Sequence, residues 1–263
     1  MSTADQIGLE RDGGIAVITL SNPERRNAFT PEMRRTITGH LEALGADVSC
    51  RAVVLTGSDG HFCAGADLSR VDPDQPPMTA EALRDNTREV HRLVRALFCG
   101  PKPVIAAVEG LAYGGGLAMA LACDHVVAAR TGRFGAAFSK LGIIADVGAL
   151  YTLQIRLGVT RAKRFLALSP QIDGAEAVRI GLADELVDEG QALPTALAVA
   201  RRYAEAAPLS LAYTKAAYGR GIGSLEDAFQ AELDYLPLTV ASADFQEALK
   251  AFREKRPPVF TGA

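Results

Sequence analysis

The 263-residue chain has no tryptophan and only four cysteines. Cys50, Cys63, Cys99 and Cys123 never stand in a C-x-x-C pair, so a zinc ribbon or a dithiol redox centre has no basis, and reduced thiols fit a cytoplasmic protein. Surplus positive charge is missing too. Lys and Arg total 28 against 31 Asp and Glu, a net charge of −3, which offers no basic field to a nucleic-acid backbone. The longest nearly apolar stretch, residues 110–123, carries four glycines and falls short of the ~20 residues of a membrane span. Residues 1–14 lack the apolar run of a secretory signal. His40, His61, His91 and His125 have no metal-ligand spacing, no metal site is expected, and no serine sits on a nucleophile elbow. Neither a G-x-G-x-x-G fingerprint nor a P-loop is present.

What the chain does have is ordinary globular material, 48% hydrophobic and 22% charged. A chain of this length can bury about three-quarters of its unfolded surface and needs no disulfide or metal to hold a core. Short β-branched runs at residues 15–20, 52–56, 104–108 and 126–129 read as strands. Helical patterns lie between and after them, at 31–44 with Thr30 as N-cap, 80–97, 115–122 and 147–157. This alternation predicts an α/β fold. From residue 193 strand runs vanish, and helices are predicted at 193–206, 209–218, 225–239 and 243–255. The expected organisation is therefore a core over 1–192 and a helical region over 193–263. The proline-rich piece 72–77 reads as a surface loop that could flank a pocket.

Two segments place glycine at the mouth of a strand, where a backbone can approach a ligand closely. They are Gly60-His-Phe-Cys-Ala-Gly-Ala-Asp-Leu68 and Glu109-Gly-Leu-Ala-Tyr-Gly-Gly-Gly-Leu-Ala-Met119. In the second, the glycine triplet should open a helix, and the free N–H groups of that helix start would face negative charge. Taken alone, such glycines are more commonly just turns.

Six blocks in register resemble the enoyl-CoA hydratase/isomerase (crotonase) superfamily, and the likeness spans nearly the whole chain. They are Asn22-Pro-Glu-Arg-Arg-Asn-Ala28, Phe62-Cys-Ala-Gly-Ala-Asp-Leu68, Ala106-Ala-Val-Glu-Gly110 with Gly114-Gly-Gly116, Ala122-Cys-Asp124, Gly174-Ala-Glu-Ala177 with Gly181-Leu182, and Phe252-Arg-Glu-Lys-Arg-Pro-Pro-Val-Phe260. The resemblance implies a spiral of ββα units, C-terminal helices that pack into a homotrimer or a dimer of trimers, and an acyl-CoA substrate with no further cofactor. It implies an oxyanion hole whose donors fall on Ala66 and Gly115. It also implies CoA contacts from Arg25, Ala64, Ala66, Asp67, Leu68, Lys255 and Arg256, although Arg25, Lys255 and Arg256 also read as a solvated face.

The sequence departs from the hydratase pattern at its two acid/base positions. The resemblance maps the usual glutamates onto Ala118 and Phe138, neither of which can move a proton. The segment Phe138-Ser-Lys-Leu-Gly-Ile-Ile-Ala-Asp-Val-Gly148 is instead similar to that of Δ3,Δ2-enoyl-CoA isomerases and of epoxide isomerases in phenylacetate breakdown, whose single carboxylate falls on Asp146. One carboxylate suffices to shift a double bond. Asp146 also reads as an N-cap for a helix starting at Val147. Leu117, Ala118, Phe138, Ile144 and Leu150, with Met119 and Ile143, are expected to line the acyl pocket. Asp124 reads as structural, and Glu109 as a partner for loop N–H groups. The resemblance favours isomerisation of a 3-enoyl-CoA. Hydration without the glutamate pair and acyl-CoA binding with little catalysis are the alternatives.

Overall fold

A two-residue turn at Gly13-Gly14 folds the start of the chain into a hairpin. It joins strand β1 (Ile7–Asp12) to β2 (Ile15–Leu20), with Asp12 paired to Ile15. Gly13 sits at φ +58°, the left-handed region that such a turn needs and a glycine adopts without strain. The protein is seen in a computed structural model that describes residues 7–72, 74–76 and 78–263. The start of the segment read as lacking a signal, residues 1–6, and prolines 73 and 77 of the expected surface loop lie outside the described residues.

From β2 onward the strands of the large sheet run parallel, with helices between most of them. Helix α1 (Pro31–Ala46) leads to β3 (Ala52–Gly57), and α2 (Ala80–Phe98) leads to β4 (Val104–Val108). Then come β5 (Leu111–Tyr113), α3 (Gly115–Leu121), β6 (His125–Ala129) and β7 (Arg133–Gly135). Helices α4 (Ala149–Leu157) and α5 (Val159–Leu168) precede β8 (Ile172–Asp173), α6 (Gly174–Arg179) and β9 (Glu185–Val187). Helices α7 (Ala192–Ala204), α8 (Pro208–Arg220), α9 (Leu225–Val240) and α10 (Ala243–Glu254) complete the chain. The large sheet has the order β1-β2-β3-β4-β6-β9, and a small sheet has the order β5-β7-β8.

The central strands β2, β3, β4 and β6 are largely apolar along their length because the sheet is covered on both faces there. Ala16, Ile18, Leu20, Val53, Leu55, Ala106 and Val126 point into the main core with Met33 and Ile37 of α1 and Leu93 and Leu97 of α2. Ile15, Val17, Val54, Ile105 and Val127 point the other way, onto Ala192, Ala196, Val199 and Ala200 of α7. Those four fall at helical spacing on one stripe, and three are alanines, which lets the helix approach the sheet closely. The first helix of the predicted 193–263 region is thus packed into the sheet's own core. Helix α9 instead leaves Leu225, Phe229, Leu233 and Leu236 exposed.

Lys215 of α8 reaches back to the sheet. Its ammonium donates to Asp124 and to the carbonyls of Leu97 and Lys102. Asp124 also accepts from the N–H of Val104 at 2.7 Å. Burial raises the Asp124 carboxyl against the opposing pull of Lys215. Removing one member of such a buried pair typically costs about 3–5 kcal/mol, so Asp124 ties α8 to the ends of β4 and β6.

Candidate active site

The mouth of β3 is built around one side chain. Asn27 is fully buried at φ +58°, a conformation that asparagine tolerates better than most residues. Its amide donates to the carbonyls of Ser58 and His61 and accepts from the N–H of Asn22. This staples the 22–29 loop to the turn after β3.

Beyond that staple, Phe62 and Cys63 run alongside β5. The N–H of Cys63 donates to Leu111, and the N–H of Tyr113 donates to Cys63 at 3.0 Å. Gly65 then turns the chain at φ +100°. A Cβ there would stand 2.9 Å from the Tyr113 carbonyl and 3.4 Å from the Gly115 nitrogen, so only glycine lets the two segments meet. The flanking groups are consumed: the Gly65 carbonyl accepts from Phe29 N–H, and Asp67 N–H donates to the Phe29 carbonyl. The Ala66 N–H between them has no acceptor among the described residues. Across from it, Gly114 N–H donates to Gly135 and Ala118 N–H to Gly114, while Gly115 N–H, at the start of α3, also has no acceptor among the described residues.

Both amides border a cavity of about 310 Å³. A further part of its lining comes from residues 137–147, a 3-10 turn (Phe138–Leu141) and an irregular loop. Ala137, Gly142, Val147 and Gly148 all have positive φ. Val147 at +50° is a β-branched residue in a region that costs such residues of order 1–3 kcal/mol, held there by burial against the cavity. Asp146 is the only carboxylate bordering the cavity among the described residues. It is exposed to the open mouth, yet the protein packed around it withdraws enough water to raise its carboxyl above the ordinary aspartate value. Its own backbone N–H and the charges of Arg34 and His91 oppose that rise.

Asp146 does not cap a helix with its side chain. Helix α4 starts at Ala149 with Gly148 as N-cap, and only the Asp146 carbonyl takes part, accepting from Ala149 N–H at 2.9 Å. The turn through Val147 and Gly148 delays the helix and leaves the carboxyl free.

The structure brings Ala64, Ala66, Leu68, Gly115, Phe138, Ile143 and Asp146 together around the cavity. Leu117, Ala118 and Met119 do not reach it, contrary to the pocket expected from sequence. Helix α3 is apolar on every side and is buried on every side, so these residues fill the main core. Ile144 is 76% exposed and Leu150 51% exposed, and neither borders the cavity. Asp67 caps the turn at Leu68–Arg70 by accepting from Ser69. Arg25 is exposed on its own short turn, Lys255 follows α10 in the left-handed region, and Arg256 is paired with Glu247 and Glu254. Glu109 accepts from Ala192 N–H at the start of α7, and His61 accepts from Leu111 N–H through Nδ1.

Sequence reasoning missed Phe29, Arg34, Asn86, Val90, Tyr113 and Lys140, which also border the cavity. Arg34 had a readable signal. It falls on the buried stripe of α1 with Ile37, Thr38 and Leu41, where a charge is out of place. It is only 5% exposed, and its Nη2 donates to Asn86 of α2 at 2.7 Å.

The architecture is that of the crotonase fold. A solved enoyl-CoA hydratase from Polaromonas sp. JS666 superposes with a TM-score of 0.89 at 32% identity, covering 97% of this chain and 99% of that one. The model of the family described as Enoyl-CoA hydratase/isomerase matches residues 10–263, and the chain belongs to that family. Among curated relatives, the 1,2-epoxyphenylacetyl-CoA isomerase of Escherichia coli (strain K12) is 38% identical over 95% of this chain and 95% of its own length. The crotonyl-CoA hydratase of Syntrophomonas wolfei is 33% identical over 96% of each.

Proposed function

We propose that the protein isomerises a 3-enoyl-CoA to its conjugated 2-enoyl-CoA. The observation that carries this reading is the pairing, across one cavity, of two unpartnered amides with a single carboxylate. The thioester oxygen is held by the N–H groups of Ala66 and Gly115. Asp146 removes a proton from C2, and the electron pair spreads through C2, C1 and the thioester oxygen as a dienolate. The two amides are fixed by their neighbours' hydrogen bonds before the charge appears, so they stabilise it without reorganising. Asp146, now protonated, delivers the same proton to C4, and the double bond ends between C2 and C3. No water is added and nothing is oxidised, so coenzyme A enters only as part of the substrate and no other cofactor is needed.

Hydration asks for a second group that activates water. Ala118 and Phe138 stand at the family's acid/base positions, and Ala118 is sealed in the core. The relatives' names include both isomerases and hydratases, so the chemistry of this chain rests on its own residues. Its CoA contacts are taken to run along Ala64, Ala66, Asp67 and Leu68, with Arg25, Lys255 and Arg256 meeting the CoA phosphates. The exposed apolar face of α9 suits the packing of copies into a trimer or a dimer of trimers.

Mixing the purified protein with 3-hexenoyl-CoA tests the reading through the absorbance of the conjugated product. Formation of 2-hexenoyl-CoA, with crotonyl-CoA hydrated far more slowly, is the expected result. Efficient hydration with no double-bond shift would replace it by the hydratase reading. Absence of both, with no exchange of the C2 proton in deuterated water, would leave only a binding protein.

A further inference from the structure

The cavity wall formed by α1 and α2 carries a cation that the double-bond shift does not use. Arg34 is 5% exposed, yet it forms no ion pair with any carboxylate among the described residues. One guanidinium nitrogen, Nη2, is spoken for by Asn86 Oδ1 at 2.7 Å. Nε is buried without an acceptor, and Nη1 makes no hydrogen bond among the described residues. Nε has left water without gaining a partner, which is costly for a donor of a charged group, while Nη1 is not sealed from solvent. Burial outweighs the charges around it: Glu89, Glu32 and Asp146 favour the guanidinium without forming an ion pair with it, and Arg35 opposes it.

Several explanations can be weighed on physical grounds. A structural arginine in a core normally ends in a carboxylate or a fan of carbonyls, as Arg51 does with Phe260, Ala204 and Ala206. Arg34 has no such fan. A purely aliphatic acyl chain lying against it would gain nothing from the charge, and methionine or leucine would serve better on that stripe of α1. The idle donors instead suit an oxygen acceptor brought in by the ligand, and an arginine meets a carboxylate or carbonyl oxygen in a fixed, directional geometry. Asn86 holds the guanidinium from the neighbouring helix, so the donors are oriented before the ligand arrives.

We propose that Arg34, positioned by Asn86, is a specificity residue for acyl-CoA substrates whose acyl group carries an oxygen acceptor, a carboxylate or a carbonyl, beyond the thioester. This rests on the proposed use of the cavity for the acyl chain and adds the substrate class. The apolar residues Phe29, Val90, Phe138 and Val147 would pack on the carbon skeleton, while Arg34 meets the distal oxygen.

Titration calorimetry of the full-length protein with three six-carbon thioesters tests this: hexanoyl-CoA, 5-oxohexanoyl-CoA and adipyl-CoA. At least one oxygenated thioester should bind about tenfold more tightly than hexanoyl-CoA, the size expected of a hydrogen bond to a charged group after its desolvation. A gain confined to adipyl-CoA identifies the acceptor as a carboxylate, and a gain for both admits neutral oxygen as well. In Arg34→Met the ratio should fall to near unity. Asn86→Ala, which removes the orienting contact from the other helix, should also reduce it and serves if Arg34→Met does not fold. Equal or tighter binding of hexanoyl-CoA in the wild type, or a preference that survives in the folded variants, would overturn the proposal and leave the isomerase reading intact. If none of the three thioesters binds, the acyl-CoA reading itself is lost.

Discussion

The two walls of the cavity hold their chemistry by different means. On one side, Ala66 and Gly115 contribute only main chain, and each amide is fixed because its neighbours are already bonded in the pairing of residues 62–67 with 29 and 111–113. On the other, Asp146 and Phe138 contribute side chains from a loop with four left-handed residues, Ala137, Gly142, Val147 and Gly148, and an exposed apolar rim at Leu141 and Ile143. The first wall is insensitive to side-chain identity but intolerant of added atoms. The second can change its chemistry by one substitution while keeping its backbone. A shared oxyanion site with exchangeable acid/base groups is one way a fold comes to host several reactions.

The largest effect is expected where the second wall loses its chemistry. Asp146→Asn keeps the shape and removes the base, and kcat/KM for 3-hexenoyl-CoA should fall by roughly 10²–10⁴-fold. Activity within tenfold of wild type in a folded variant would show that the base lies elsewhere. The same variant carries a stability signature. Because burial raises the Asp146 carboxyl, its cost is absent when the group is protonated and grows as pH rises from the ordinary aspartate value of about 3.9 through the raised one. Asp146→Asn should therefore gain stability over wild type at neutral pH, and the gain should vanish in acid.

Next comes an added atom on the first wall. Gly65→Ala forces a side chain onto φ +100° and sets its methyl against the Tyr113 carbonyl and the Gly115 nitrogen. Losing one donor of an oxyanion site costs about 10²–10³-fold in kcat, and the strained backbone adds about 1–3 kcal/mol of destabilisation. A variant that unfolds earlier yet turns over at the wild-type rate would separate the turn from the chemistry and break the comparison.

A smaller effect joins the two walls through charge. Arg34 favours the ionised form of Asp146, so Arg34→Met should raise its carboxyl further. The base works deprotonated, so the acid limb of the kcat/KM profile should move to higher pH. A limb that stays in place would mean that Arg34 and Asp146 do not sense each other across the cavity.

The first wall was legible in the sequence and the second only in part, for reasons that lie in the chain. Gly65 and the 114–116 triplet mark close approach, and glycine is one of the few residue types whose presence reports backbone geometry directly. The buried parallel strands were legible because both-face burial leaves continuous apolar runs such as 52–56 and 104–108. Strands β1, β5, β7, β8 and β9 were not. The first is a polar edge, and the others have three residues or fewer, too short for any period to register. A uniformly apolar helix such as α3 gives no clue to which neighbour it faces, so nothing in the sequence separates a core position from a pocket wall at Leu117 and Ala118, which are core. Arg34 and Asn86 come together only through the packing of α1 on α2, a contact 52 residues apart that no local pattern encodes.

The smallest predicted effect tests whether the second wall is held in strain. Ala137 sits half-buried at φ +60°, immediately before the turn that carries Phe138. An alanine there costs roughly 1–2 kcal/mol relative to its favoured regions, and glycine costs nothing in that conformation. Against this, glycine frees the unfolded chain by about 0.4–1 kcal/mol. Ala137→Gly should therefore stabilise the protein by about 0.5 kcal/mol, a rise of roughly 1–2 °C in Tm for a chain of this size. The same change loosens the turn that aims Phe138 and, after it, Asp146, so kcat should fall while the oxyanion wall is untouched. If Ala137→Gly lowered Tm instead, the methyl would be packing usefully, and the left-handed residues of this wall would be ordinary loop geometry rather than a conformation imposed by the cavity.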